Sequence, residues 1–229
     1  MSRKYRKSKR TYKKKYKKSV PRPLGGFPDR QVVKLRYVDS NLTLDPSAGS
    51  SDTNVYILNS IYDPDFTSLL NHQPMCYDEW TNLYSHYTVL SAKISVMAKP
   101  AGSTNIIPPA FGVAISPSSS PLSAFSTIDN VLESKISAGW KIASVSQPAG
   151  SMNTYPTVTK NVRMNRFFGT DNVRDGAAYG ASTGSTPAQP CYASVWSASL
   201  DGGNAGEITA IVTIDYVVEF SKRKGIDGS

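Results

Sequence analysis

Residues 207–220, EITAIVTIDYVVEF, place Ile208, Ala210, Val212, Ile214, Tyr216, Val218 and Phe220 at every second position. A period of two marks a strand with one buried face, because successive side chains point to opposite sides. A helix would scatter the same set around its circumference. Seven further runs show strand patterning. Residues 31–39 set Val33, Leu35 and Tyr37 against Lys34 and Arg36, and residues 53–61 form a second run. Residues 87–99 align Leu90, Ala92, Ile94 and Val96. Residues 110–116, 140–146, 157–168 and 191–200 follow, each bounded by Gly, Pro, Ser or Asn.

Eight strands, lettered B to I, predict an all-β sandwich or barrel. The connections discriminate between them. B–C, D–E, F–G and H–I run to roughly 14, 10, 9 and 6 residues, and C–D, E–F and G–H to roughly 22 to 25. Short and long connections alternate, as they do when successive loops leave opposite ends of a wedge. That predicts a single eight-stranded antiparallel jelly roll with sheets B-I-D-G and C-H-E-F. Short helices are expected in the long loops. Trp80, Leu83, Tyr84 and Tyr87 fall at helical spacing, with Asp78 as the cap of a helix that plugs the end of the sandwich. A second helix is expected within residues 121–137, and the small residues of 169–190 suit close packing against a neighbouring subunit.

Charge is distributed unevenly along the chain. Arg3, Lys4, Arg6, Lys7, Lys9, Arg10, Lys13, Lys14, Lys15, Lys17, Lys18 and Arg22 supply twelve cations with no acidic residue among them. The remaining fourteen cations face seventeen anions, a net of −3 within a total of +9. Residues 1–22 therefore read as a polyanion-binding arm, 23–29 as a Pro/Gly hinge, 30–224 as the folded domain and 225–229 as a short tail. With almost no aliphatic residues the arm cannot offset its ordering entropy, so it is expected to be disordered. Tyr5, Tyr12 and Tyr16 can stack on unpaired bases, which favours a single-stranded nucleic acid over a duplex. The same lysine runs fit a nuclear import signal.

Other features exclude function classes. No apolar run approaches a membrane span, and residues 1–22 lack the apolar core of a secretory signal. Cys76 and Cys191 read as reduced, buried thiols. His72 and His86 lack metal-binding spacing, and no phosphate loop or nucleophile elbow is present. Residues 201–206, DGGNAG, read as a tight turn. Asp63 and Asp65 read as an Asp-Pro turn, with a loop cation as the alternative. No enzyme activity and no cofactor are expected.

A basic arm, a Pro/Gly hinge and one eight-stranded jelly roll resemble a viral coat protein. GFPDRQVVKLRY at the first strand is similar to the opening of capsid proteins from small circular single-stranded DNA viruses of the circovirus-like, Rep-encoding kind. YDEWTNLYSHYTVLSAKISV is similar to their approach to the D strand, with Tyr84, Tyr87, Val89, Ser91 and Ile94 matching. The resemblance covers the layout of the whole chain, and those two segments carry its specific residues. It implies a T = 1 shell of about 60 copies, with the arm inside on single-stranded DNA. It also implies a nuclear import receptor as partner, a virion location and a nuclear stage of assembly. It names no attachment receptor. Circovirus arms are dominated by arginine, whereas this one is mainly lysine, which leaves open the coat of a small single-stranded RNA virus. A non-viral nuclear nucleic-acid-binding sandwich is the other reading. Twelve arm cations on about 60 copies neutralise roughly 700 phosphates. Lys34, Arg36, Lys160, Arg163 and Arg166 on the B-I-D-G sheet are candidates for further contacts, or else a solvated strand face.

Overall fold

The computed structural model describes residues 27–47, 50–68, 72–101, 108–124, 128–143, 155–200, 203 and 206–225. The arm with its twelve cations and three tyrosines lies outside the described residues, as do residues 23–26, 144–146, 226–229 and most of the 201–206 turn.

Among the described residues, nine strands and three short helices run in the order β1 (Arg30–Leu44), β2 (Ser51–Ile57), α1 (Tyr77–Leu83), β3 (Tyr84–Pro100), β4 (Ala110–Ser116), α2 (Ile128–Glu133), β5 (Ser137–Ile142), β6 (Thr157–Arg163), α3 (Met164–Phe168), β7 (Gly180–Ser182), β8 (Tyr192–Ala198) and β9 (Ile208–Arg223). A 3₁₀ turn (Pro121–Ala124) precedes α2. One sheet has the order β1-β9-β3-β6, with β7 also on β3, and the other has the order β2-β8-β4-β5. Every pairing is antiparallel. These are the orders B-I-D-G and C-H-E-F, so the fold is a jelly roll.

The predicted inward set of β9 is buried throughout, from Ile208 to Phe220. Bulges shift the phase in β1 and β3. In β1, buried Leu35 and Tyr37 are followed across an irregularity by buried Leu42 and Leu44. In β3, Val89 pairs with Val218 and Ser91 with Val217, so Leu90 is the extra residue. Tyr87 and Val89 face inward before it, and Ala92, Ile94, Val96 and Ala98 after it. Leu90 itself is half-buried, contrary to its expected place on the inward face.

The inward faces of the two sheets form the main core, and tyrosine hydroxyls tie them together. Tyr216 Oη donates to the Ile57 carbonyl at 3.1 Å, and Tyr56 Oη donates to Asp39 Oδ2 at 2.7 Å. Burial raises both hydroxyls far above the ordinary tyrosine value, the Asp39 carboxylate adding to the effect at Tyr56, so both remain neutral donors. A smaller cluster covers the outer face of the second sheet, where Leu122 and Val131 pack on Ala110, Ala114, Trp196 and Ala198. Gly112 allows this packing, since a Cβ there would lie 2.6 Å from Trp196 Cζ2 and 2.7 Å from the Gly139 carbonyl oxygen. The helical segment of the E–F loop thus covers its own sheet.

Helix α1 closes one end of the sandwich, with Trp80 stacked on Phe220 at 5.6 Å. Its N-cap is Cys76 with φ 67°, and no side chain caps it. Asp78 instead lies in the first turn, where its charge favours the helix N-terminus. Tyr84 and Tyr87, expected on the helix, belong to β3. The predicted G strand ends early. Residues 164–168 coil into α3, which stops at Gly169 with φ 64°. Part of the G–H segment packs on its own chain as β7. Gly180 permits that approach, because a Cβ would meet Thr88 Oγ1 and His86 Nε2, the latter at 2.8 Å.

Candidate nucleic-acid interface

Cross-strand partners in an antiparallel sheet share a face, so register fixes which side chains stand together. On the outer face of the first sheet, Arg36, Asp215, Lys93 and Asn161 form one row, and Lys34, Val217, Ser91 and Arg163 form the next. Lys34, Arg36, Lys93 and Arg163 are all exposed. Arg36 Nε donates to Asp215 Oδ1 at 2.6 Å. The pair is exposed, so solvent and salt screen it. A shallow depression of about 480 Å³ runs between the rows, with Lys34, Arg36, Ser91, Lys93, Asn161 and Asp215 around it. The face thus presents four cations and two small polar groups against one aspartate, a surface suited to a phosphodiester chain.

Two of the five predicted body cations are placed differently. Lys160 pairs with Ile94, between the buried pairs Val158–Val96 and Val162–Ala92, so it points to the inward side. It stays exposed because β6 is the edge strand, and an inward-pointing charge there deters pairing with a foreign strand. Arg166 lies on α3 beyond the end of the sheet. Lys93 takes a central position that the sequence reading did not assign. Its signal was present in the alternation of residues 87–99, since Ala92 and Ile94 face inward on either side of it.

The second missed feature is Glu219, only 5% exposed on the same outer face. Arg30 Nη1 meets Glu219 Oε1 at 3.2 Å, and Arg174 Nε meets Oε2 at 3.2 Å. Arg30 Nη2 also meets Asp175 Oδ1 at 2.9 Å. The hydrogen bond donated by Arg30, then that from Asn172, holds the Asp175 carboxyl below the usual carboxylate range. This network joins the start of β1 to the G–H loop. The entry segment is fixed further by Tyr84 Oη, which donates to the Pro28 carbonyl at 2.7 Å, and by Arg223 Nη1, which donates to the Phe27 carbonyl at 3.0 Å. Phe27 and Pro28, the first described residues, are therefore braced at a corner of the first sheet.

His86 lies at this corner on β3, opposite Ser221 and Ser182. Burial and then the nearby Lys222 charge lower its pKa below the ordinary 6.5. A depressed histidine favours the unfolded state as protons are added. The body should therefore lose stability as pH falls below about 6.5, down through the folded-state value. The melting midpoint is expected to drop on acidification from pH 7.5 to 5, and to drop less in His86→Gln. Equal drops in the two proteins would contradict this.

The remaining candidates are structural. Asp65 is buried and accepts hydrogen bonds from Asn54 Nδ2 at 3.2 Å, Thr67 N at 3.1 Å and Ser68 N at 3.2 Å, which is the predicted turn role. Burial raises its pKa above the ordinary value. Cys191 is buried and its thiol pKa is raised by that burial, whereas Cys76 is exposed, contrary to expectation. His72 stacks on Tyr37 with centroids 4.5 Å apart. Among the described residues no three His, Cys, Asp or Glu side chains gather as a metal site requires. Nor is any helix among them long and apolar enough to cross a membrane.

No protein-family model matches the chain, and no curated protein is significantly similar to it. Solved structures do show likeness. A Desmodium yellow mottle tymovirus structure is 14% identical, covers 100% of both chains and gives a TM-score of 0.43. A semi-empty virus-like particle of Macrobrachium rosenbergii nodavirus, from the giant freshwater prawn, is 13% identical over 87% of this chain and 98% of that one, with a TM-score of 0.45. A 60-mer BFDV capsid protein is 13% identical over 89% of this chain and 100% of that one, also at 0.45. All three scores lie below 0.5, so the assignment of the fold rests on the strand order: the chain is an antiparallel jelly roll with sheets β1-β9-β3-β6 and β2-β8-β4-β5.

Proposed function

We propose that this chain is the coat protein of a small virus, a structural subunit that self-assembles and packages single-stranded nucleic acid through its basic arm. One observation carries the reading. A jelly roll whose body has a net charge of −3, braced at Phe27 and Pro28, is preceded in the sequence by twelve cations with no acidic residue among them. The body supplies a wedge that can tile a closed surface, and the arm supplies charge for a polyanion. In the specific form of the proposal the shell is T = 1 with about 60 copies and the cargo is circular single-stranded DNA. The protein then belongs to the virion and passes through the host nucleus with an import receptor bound to the lysine runs. The sheet carrying Lys34, Arg36, Lys93 and Arg163 faces inward, adding cations to those of the arm.

Electron microscopy of the purified protein is expected to show uniform closed particles of megadalton mass. A chain that stays monomeric across salt and pH overturns the reading. Nucleic acid extracted from the particles is expected to be destroyed by DNase and to resist RNase, and the reverse result reassigns the cargo to RNA.

A further inference from the structure

Lys222, Arg223 and Lys224 lie near the far end of the sequence, yet the fold brings this run to Phe27, the first described residue. Arg223 pairs in register with Tyr84, and Arg30 with Ser221, so the end of β9 and the start of β1 share one corner. Four hydrogen bonds fix it. Arg223 Nη1 donates to the Phe27 carbonyl at 3.0 Å, and Tyr84 Oη donates to the Pro28 carbonyl at 2.7 Å. Ser85 Oγ donates to the Lys222 carbonyl at 2.9 Å, and Lys224 N donates to the Leu83 carbonyl at 2.9 Å. The backbone of this short basic run is held in place while its side chains stay exposed.

The local charge is uneven. Arg30 and Arg174 are engaged by Glu219 and Asp175. Lys222 and Lys224 make no ion pair among the described residues. Lys222 also adopts a left-handed backbone, φ 56°, which a lysine rarely takes without tertiary restraint. Two ammonium groups that make no ion pair among the described residues stand on a fixed backbone beside Phe27 and Pro28, where they can meet a polyanion.

We propose that Lys222 and Lys224 form a phosphate-contact pair that continues the cationic track of the arm onto the body, so that single-stranded nucleic acid is gripped on both sides of the junction. This rests on the reading of the arm as a nucleic-acid binder. Lysines suit the task because each offers a point charge on a long stem and needs no base-specific geometry.

The test is the salt dependence of binding of a labelled oligo(dT) to the full chain. Substituting K222N and K224Q together keeps a residue that tolerates the left-handed backbone at 222 and removes two charges. The log–log slope is expected to fall by about 1.4, at roughly 0.7 per lost contact. K135Q with K141Q removes the same charge from the region of β5 in the other sheet and is expected to leave the slope unchanged. K222R with K224R is expected to retain the wild-type slope. Should the first pair fail to fold by circular dichroism, K224E alone, which leaves position 222 intact, is expected to lower the slope by at least about 0.7. An unchanged slope in the 222/224 variants, or an equal fall in the 135/141 control, overturns this proposal and leaves the role of the arm standing. A wild-type chain whose binding ignores salt overturns both.

Discussion

Removal of residues 1–22 is expected to abolish most of the salt dependence of nucleic-acid binding while leaving the fold intact. The segment carries twelve cations, and each phosphate contact with a single strand contributes about 0.7 to the log–log slope. If all twelve engage, the slope falls by about 8, and doubling the salt weakens the full chain roughly 300-fold more than the truncated one. The buried core draws on residues from Leu35 to Phe220, so the melting midpoint should hardly move. Particles of the truncated protein are expected to show a lower A260/A280 ratio. A slope and an absorbance ratio that both survive truncation would remove the arm from the packaging role and assign it to the sheet face of Lys34, Arg36, Lys93 and Arg163.

The largest loss of stability is expected from Tyr216→Ala. Tyr216 is fully buried in β9, a central strand of the first sheet, and its hydroxyl reaches the Ile57 carbonyl of the opposite sheet. The substitution removes an aromatic ring from the middle of the sandwich and the hydrogen bond between the sheets. By analogy with other large aromatic truncations the loss is about 3–5 kcal/mol. At about 2–4 °C per kcal/mol for a chain of this size, the melting midpoint falls by roughly 6–20 °C. Tyr216→Phe keeps the ring and loses only the bond, so about 1 kcal/mol is expected. Calorimetry on both variants separates packing from hydrogen bonding. Similar losses in the two would mean that the bond to Ile57, rather than the ring, holds the sheets together.

The pattern of agreement between sequence and fold has a physical basis. In β9 the apolar positions alternate without interruption over residues 208–220, and all seven predicted side chains are buried. A β9-like run needs no knowledge of its partners, because the pleat alone sets which side each residue takes. The connections were legible for a related reason: loop lengths constrain which ends strands can reach, and here they lead to the observed order in both sheets. β3 was harder. Its alternation slips at Leu90, because an extra residue there is accommodated against β9, and nothing local in SAKISV announces it. The segment MNRFF after Arg163 continues the strand expected over residues 157–168, yet it forms α3, which ends at the left-handed Gly169.

The candidate interface divides along the same line. That Lys34 and Arg36 face outward followed from their own strand, since Val33, Leu35 and Tyr37 take the other side. That Asp215, Lys93 and Arg163 stand beside them depends on the register of four strands brought together from opposite ends of the chain. The displacement of Lys160 to the inward side was likewise a matter of pairing, decided by its partner Ile94. The burial of Glu219 required Arg30 and Arg174, which are 189 and 45 positions away.

By itself, then, the sequence determined the buried face of β9, the jelly-roll class and the separation of a cationic arm from a mildly acidic body, because alternation, loop length and charge counts are local or additive properties. Only the tertiary structure decided which cations share a surface, where Phe27 and Pro28 are braced and that the run Lys222–Lys224 lies beside them. Those facts are set by cross-strand register and by side chains distant in sequence, and neither is fixed by any one segment.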